Sequence, residues 1–292
     1  MNRLEVFNQY RPLLFAIAYR MLSSVADAED IVQEAWLRWQ TAESLVQYPK
    51  AYLSKLIVRL CIDYLRLAHV RREQYIGSWL PEPLISQQPS PIENAELAES
   101  LSFAFLILLE CLSPTERAVF LLREVFDYDY TDISKIVNKT VPNCRQIVHR
   151  ARQHLTLAKN KGDVPYQQKQ EIIAQFLASW NQGDMQSLIA LMAEDVTFWA
   201  DGGGEVVAAR KPLHGNLKVA RFLIAIRCSK LLPRFTSQIA RVNGQSGIVN
   251  YTNGKLQSIL SFELWGDEIK TIFAVVNPVK LQHITHRSRN RG

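Results

Sequence analysis

Long apolar runs are missing from this chain of 292 residues. No stretch approaches the roughly 18 residues that a membrane-spanning helix requires, so nothing marks the chain as integral to a membrane. Its start, MNRLEVFNQYRPLLF, lacks the uninterrupted apolar segment and small-residue cleavage site of a secretory signal, which makes the cytoplasm the default compartment. Cysteine is scarce: Cys61, Cys111, Cys144 and Cys228 lie far apart and form no CxxC. Three of them fall on expected apolar helix faces, which favours buried free thiols over disulfides or metal ligands. No His/Cys/Asp cluster has metal-ligand spacing. The one glycine triplet, Gly202, Gly203 and Gly204, is not followed by GK[ST], and GxGxxG is absent, which excludes the common phosphate loops. No cofactor is expected. What is present is ordinary for a globular protein, with 48% hydrophobic and 21% charged residues and a length that suits about two domains.

Charge is unevenly placed. Residues 1–160 balance at 18 bases and 18 acids, which leaves the net +6 to the remainder. Within the balanced part, residues 50–72 carry six bases against one acid, and residues 140–161 carry five against none. The intervening 82–132 holds ten acids and two bases. A single charged patch is usually just a solvated face. Two basic patches separated by an acidic connector fit a protein that touches a polyanion at two places.

The second basic patch has internal order. In YTDISKIVNKTVPNCRQIVHRARQHL, residues 130–155, Ile133, Ile136 and Val137 repeat at three and four, the spacing of a buried helical face. Asn138 and Lys139 break the pattern, and Thr140 caps a second helix with Pro142 in its first turn. Cys144, Val148, Ala151 and Leu155 point that helix inward. Its other face offers Asn143, Gln146, Arg150 and Gln153, flanked by Arg145, His149 and Arg152. Amide and guanidinium groups pair bidentately with adenine and guanine edges, and a helix-turn-helix presents them to the major groove. A basic amphipathic helix packed on its own domain is the competing reading of this stretch.

Upstream, residues 4–22 form an apolar helical segment containing Pro12. Ser24 opens a second helix through Gln40 in which Ala28, Val32, Ala35 and Trp39 are the core stripe and Asp27, Asp30, Glu34 and Arg38 face away, with Gln33 beside them. That acidic face is either solvated or a dock for a basic partner. Pro49 begins a long helix to Arg72, with Leu53, Leu56, Ile57, Leu60, Tyr64 and Leu65 inward and Lys55, Arg59 and Arg66 outward, ending in Arg71 and Arg72. Tyr48 and Tyr52 near its start are either stacking platforms for unpaired bases or core residues. Residues 77–94, GSWLPEPLISQQPSPIEN, contain four prolines and read as a linker of little regular structure. Trp79, Leu80 and Leu84 are too apolar for a solvated tether, so part of it is expected to dock. Ser113, Pro114 and Glu116 then make a capping box that leads a helix into the helix-turn-helix.

In this order, AYRML, AEDIVQEAWLRW, the CIDYLR helix ending in HVRR, LSPTERAVFLLREVF and RQIVHRARQHL resemble an extracytoplasmic-function sigma factor of bacterial RNA polymerase over residues 3–158. The resemblance implies sigma domain two at 1–76, a proline-rich linker at 77–95 and sigma domain four at 96–160. It implies contact between Asp30, Gln33, Glu34 and Trp36 and the clamp helices of the largest subunits of core RNA polymerase. It implies minus-ten recognition and melting by the helix carrying Lys55, Arg59, Arg66, Arg71 and Arg72. Minus-thirty-five recognition falls to Thr140, Asn143, Arg145, Gln146, His149 and Arg150. A stand-alone helix-turn-helix repressor is the alternative, and the domain-two motifs argue against it.

The second half reads as helices at 166–183 and 185–193, two short β-like runs around the glycine triplet, a helix at 216–229, and strands at 234–242, 246–251, 256–264 and 269–276. This pattern indicates an α+β domain with a curved antiparallel sheet. FLASWNQGDMQSLIALMAEDVTFW resembles the SnoaL-like cone, placed at 166–281 with a basic tail at 282–292 expected to be disordered. A subgroup of these sigma factors carries such a domain with three motifs, standing here as Trp79, Leu80, Pro81, Glu82 and Pro83; Asp201, Gly202, Gly203 and Gly204; and Asn277, Pro278, Lys280 and Leu281. Glu205 and Val279 replace a Lys and an Asp of that pattern, which removes two charges from any ion pair between the motifs. The whole is then multidomain: two all-α sigma domains plus an α+β SnoaL-like cone acting in cis on the sigma domains. The resemblance allows a small-molecule ligand in the cone. An enzyme is the remaining alternative, with Asp201, Asp195 and His214 as its candidate groups, but no spacing fixes their mutual geometry.

Overall fold

The computed structural model describes residues 2–42, 46–73, 75–86, 100–156, 164–228 and 235–289. Two compact units emerge: Met1–Gln74 with Phe105–Asn160, and Tyr75–Ala104 with Lys161–Gly292. The linker therefore groups with the C-terminal half.

The first unit is helical. Helix α1 (Arg3–Leu22) starts at an Asn2/Glu5 capping box, and α2 (Val25–Gln40) starts at Ser24, whose hydroxyl accepts from the Asp27 amide. The expected α2 stripe of Ala28, Val32, Ala35 and Trp39 is buried. Arg3 reaches across to the end of α2, where its guanidinium donates to the carbonyls of Gln40 and Ala42 at 2.6 Å each, and Trp39 Nε1 returns a bond to Arg3 O at 3.0 Å. A cation on orphan C-terminal carbonyls is the placement the helix dipole favours. Helix α3 (Pro49–Glu73) buries Leu53, Ile57, Leu60 and Leu65, and also Ser54, Val58 and Cys61. After α4 (Phe103–Leu109), α5 (Pro114–Glu124) begins at the Ser113/Glu116 capping box, whose hydroxyl bond draws the Glu116 carboxyl below its usual range. Helix α6 (Tyr130–Val137) ends at Asn138 in the left-handed conformation, and α7 (Val141–Thr156) follows Thr140, whose hydroxyl takes the Asn143 amide at 3.4 Å. Ile133, Ile136, Cys144, Val148, Ala151 and Leu155 are all buried, so both helices face as their spacing requires.

Polar contacts join the two helical segments of this unit. Arg117 is 3% exposed and donates to Met21 O at 2.6 Å and to Glu110 Oε1 at 3.0 Å. Ser54 Oγ lies 2.7 Å from the Tyr128 hydroxyl, and Lys50 Nζ sits 5.3 Å over the Tyr128 ring. Burial pushes the Tyr128 phenol up. Helix α6 packs on α3, while α5 packs on α1 and α3.

The second unit lays helices on a curved sheet, the arrangement of a SnoaL-like α+β domain. Helices α8 (Tyr166–Gln182) and α9 (Met185–Ala190) are followed by β2 (Met192–Asp201), β3 (Leu213–His214), α10 (Asn216–Cys228), β4 (Thr236–Val242), β5 (Gln245–Thr252), β6 (Lys255–Trp265), β7 (Glu268–Val275) and α11 (Pro278–Arg289). The linker supplies β1 (Ile85–Ser86), and the sheet order is β1-β4-β5-β6-β7-β2-β3. Phe176, Trp180, Phe198, Leu223, Phe262 and Ile272 lie in its apolar core, where Trp180 Nε1 donates to Leu223 O at 2.8 Å.

Several expectations need correction here. The sheet is not wholly antiparallel, because β2 runs parallel to β7, with Asp201 opposite Val275. The second apolar run after the glycines is no strand: Glu205 and Val206 turn back to Gly202 O, and Val207 is fully exposed. The helix expected at 185–193 stops at Ala190 because the chain enters β2 at Met192. The described part of the linker has little regular structure, as expected, beyond the two-residue β1 that pairs with β4. The supposed disordered tail continues as α11 to Arg289. Of the four free cysteines, Cys61 and Cys144 are buried whereas Cys111 and Cys228 are exposed.

Candidate nucleic-acid interface and linker clasp

Side chains proposed to touch DNA stand mostly free of the core. On α3, Arg59 and Arg66 are exposed and Lys55 is half-buried, while the side chains of Arg71 and Arg72 lie outside the described residues. On α7, Arg145, Gln146, His149 and Arg150 are exposed with Thr140 before them, and Asn143 is half-buried. Two neighbours are occupied otherwise. Arg152 makes a bidentate pair with Glu124 at 2.9 Å and 2.9 Å, and Arg145 lies 5.6 Å over the Tyr130 ring. Arg152 is thereby spent on packing α7 to α5, whereas Gln146 and Arg150 point outward one turn apart. Tyr48 is 68% exposed, but Tyr52 packs its ring 5.6 Å from Trp39.

The α2 surface carries Asp30 and Gln33 exposed, with Glu34 and Trp36 half-buried. Trp36 leans on Phe7 at 5.0 Å, and Glu34 pairs with Arg38 at 2.7 Å. A shallow pocket lined by Leu4, Phe7, Arg11, Glu29, Gln33 and Trp36 adjoins this surface. These side chains form one face at the α1–α2 seam.

The strongest electrostatic feature lies in the second unit. Parallel pairing ends β2 and β7 side by side, and both the Val276 and Asn277 amides bond to Asp201 O at 2.9 Å. That register brings the glycine motif and the late motif together. The Asp201 side chain is fully buried. It accepts from the Tyr75 hydroxyl at 2.5 Å, the Leu80 amide at 2.8 Å, the Gly203 amide at 3.1 Å and Lys280 Nζ at 2.8 Å. Four bonds fill the acceptor capacity of a carboxylate. Lys280 is 6% exposed and also donates to Leu80 O. Its ammonium sits 4.3 Å over the Trp79 ring and 5.1 Å over that of Tyr75, so aromatic faces replace much of its lost hydration. Asn277 Nδ2 donates to the Tyr75 hydroxyl at 2.9 Å. Burial, and then the bond to Asp201, push the Tyr75 phenol above its ordinary range. One turn beyond Lys280 on α11, His283 Nε2 lies 2.9 Å from Pro83 O. Gly203 is required here, because its φ is +62° and a Cβ would fall 2.2 Å from Asn277 Nδ2.

The geometry thus joins the three motifs that sequence alone named as a regulatory group. Trp79, Leu80, Pro81, Glu82 and Pro83 meet Asp201, Gly202, Gly203 and Gly204, and Asn277, Pro278, Lys280 and Leu281 close the set. Glu205 and Val279 are both exposed and stand outside the ion pair, which uses Asp201 and Lys280. Tyr75 and His283 escaped sequence reasoning, although an i, i+3 pair of Lys280 and His283 behind Pro278 was a legible helix start. The enzyme candidates do not converge. Asp201 is enclosed by the linker, the Asp195 carboxyl is held below its usual range by Lys270, and His214 is exposed on β3. Among the described residues, no group of three or more His, Cys, Asp or Glu side chains is placed to hold a metal ion, and no helix is long and apolar enough to cross a membrane.

Comparison with known proteins agrees with this architecture. Residues 6–70 match the Sigma-70 region 2 family, and residues 103–155 match Sigma-70, region 4. The chain is 35% identical over 258 residues to the ECF RNA polymerase sigma factor SigJ of Mycobacterium tuberculosis, covering 85% of this chain and 80% of that one. It is 28% identical over 281 residues to a protein of the same organism named Probable ECF RNA polymerase sigma factor SigI, covering 93% and 92%. The crystal structure of the Mycobacterium tuberculosis extracytoplasmic function sigma factor SigJ superposes with a TM-score of 0.76 at 29% identity, covering 96% of this chain and 98% of that one. This chain belongs to the extracytoplasmic-function RNA polymerase sigma factors, the subunits that direct core polymerase to promoters.

Proposed function

We propose that the C-terminal unit regulates promoter use in cis by holding the linker, with the Asp201–Lys280 pair as the clasp. The observation that carries this reading is a fully buried carboxylate shared between Tyr75 just before the linker, Leu80 within it, its own glycine loop and the late motif. Domain two is assigned to 1–76 and domain four to 96–160, with linker residues 77–86 seated on the C-terminal sheet. Asp30, Gln33, Glu34 and Trp36 dock on the clamp helices of core polymerase. Lys55, Arg59, Arg66, Arg71 and Arg72 engage the minus-ten element. Thr140, Asn143, Arg145, Gln146, His149 and Arg150 engage the minus-thirty-five element. Polymerase and promoter place this activity in the cytoplasm.

The direction proposed for the effect rests on reach. The two elements are named about 25 base pairs apart, roughly 85 Å at about 3.4 Å per base pair. Ser54 on α3 and Tyr128 before α6 are 2.7 Å apart. From that contact, the helical rise lets the reading groups on α3 and α7 lie at most roughly 55 Å apart. Engaging both elements therefore requires α3 and α7 to separate, and separation requires slack in the linker. The seating of residues 77–86 on the sheet shortens the chain left to span that separation, and on this reading the clasp restrains promoter use.

Run-off transcription with purified core polymerase and the full chain tests this. Asp201→Asn is expected to raise transcript yield at limiting sigma factor severalfold, and Tyr75→Phe, which deletes one bond to the carboxylate, to raise it less. Identical yield and salt response for all three proteins would overturn the proposal.

A further inference from the structure

We infer that Asn243 is a second pin on the linker, holding both of its arms at once and acting independently of the Asp201–Lys280 pair; the inference rests on the seated-linker reading above. Two Asn-Gly hairpin turns in this sheet share one backbone geometry, Asn243–Gly244 with φ of 50° and 75° and Asn253–Gly254 with φ of 50° and 73°. Such turns select Asn-Gly because both central residues need positive φ. That reason is sufficient for Asn253, which is exposed. It does not account for Asn243, which is 1% exposed and turned into the linker.

Three polar groups of Asn243 bond to the chain on either side of the linker's second half. Its Oδ1 accepts from the Leu84 amide at 2.7 Å, its backbone amide donates to Leu84 O at 2.8 Å, and its Nδ2 donates to Leu101 O at 2.8 Å. One side chain thus ties two points 17 positions apart in the chain, the arm leaving domain two and the arm entering domain four. Neighbouring contacts fix the same arms: Ile85 and Ser86 pair with Val242 and Arg241, and Phe103 stacks on Phe273 at 5.9 Å. The pairing is chemically specific. An amide offers an acceptor to Leu84 and a donor to Leu101 from one planar group of this size, whereas a carboxylate has no hydrogen for the Leu101 carbonyl. A buried amide so paired also costs more to leave half-satisfied than a solvated one.

Hydrogen exchange on the full chain distinguishes the pin from an ordinary turn. Asn243→Gly keeps the positive φ and deletes only the side-chain bonds, and Asn253→Gly is the matched control. Exchange at Leu84–Ser86 and across 101–104 is expected to quicken at least tenfold in Asn243→Gly and to stay unchanged in Asn253→Gly. The Leu80 amide, held by Asp201, is expected to keep its protection in both. Asn243→Asp is expected to loosen 101–104 while largely retaining Leu84. Equal exchange in the two glycine variants would overturn the inference. If exchange quickens in Asn243→Gly but transcript yield does not change, the pin stands and the regulatory reading falls.

Discussion

Lys280→Met is expected to destabilise the C-terminal unit by about 3–5 kcal/mol, because it leaves the Asp201 charge buried without its counter-ion. Asp201 would keep three neutral donors, from Tyr75, Leu80 and Gly203, but no opposite charge. Leu80 O would also lose its ammonium donor. Methionine is close to lysine's aliphatic stem in volume, so the loss reports the charge, including the ammonium's contact with the Trp79 and Tyr75 rings, rather than volume. Combining Lys280→Met with Asp201→Asn removes both charges and should recover part of the loss, with a coupling of about 1–3 kcal/mol. Chemical denaturation of the full chain checks this through the midpoint of the transition assigned to the sheet. A loss below about 1 kcal/mol for Lys280→Met would show that water reaches the pair and that it is no clasp.

The second large effect concerns promoter reading. Gln146→Ala is expected to relax discrimination at one minus-thirty-five base pair by about 10–100-fold, since a bidentate amide–base contact contributes about 1–3 kcal/mol. Arg152 provides the contrast on the same helix. Its guanidinium is already paired with Glu124, so Arg152→Ala should weaken the packing of α7 and leave base preference unchanged. Promoter variants substituted one position at a time, assayed at fixed salt with core polymerase, separate the two outcomes. Equal loss of discrimination in both variants would remove α7 from direct base readout.

The difference between what sequence made legible and what it hid follows from the range of the interactions. Helices α2, α5, α6 and α7 were legible because their signals are local: a stripe at Ala28, Val32, Ala35 and Trp39, a Ser113/Glu116 box, a cap at Thr140. The exposed face of α7 followed from the same periodicity. The clasp was legible only as three motifs suspected of acting together, since Leu80 and Asp201 are separated by 121 positions and Leu80 and Lys280 by 200. What joins them is the parallel register of β2 on β7, which no local pattern encodes. Asn243 was hidden for a different reason: an Asn-Gly pair explains itself as a hairpin turn, and Leu84, though expected to dock, carried no local sign of where. The tail was misjudged because Arg287 and Arg289 resemble a solvated end, whereas Lys280 and His283 anchor the first turn of α11 on the linker.

The linker's state during initiation is the point on which everything else turns. Hydrogen exchange at the Leu80 and Leu84 amides, measured for the full chain alone and again in complex with core polymerase and promoter DNA, reads it directly. In the free chain both amides are bonded, to Asp201 and to Asn243, and slow exchange is expected. The proposed restraint predicts that both lose that protection on the promoter complex, where the side chains proposed to read the two elements are drawn apart. Protection that persists unchanged in the complex would contradict the account.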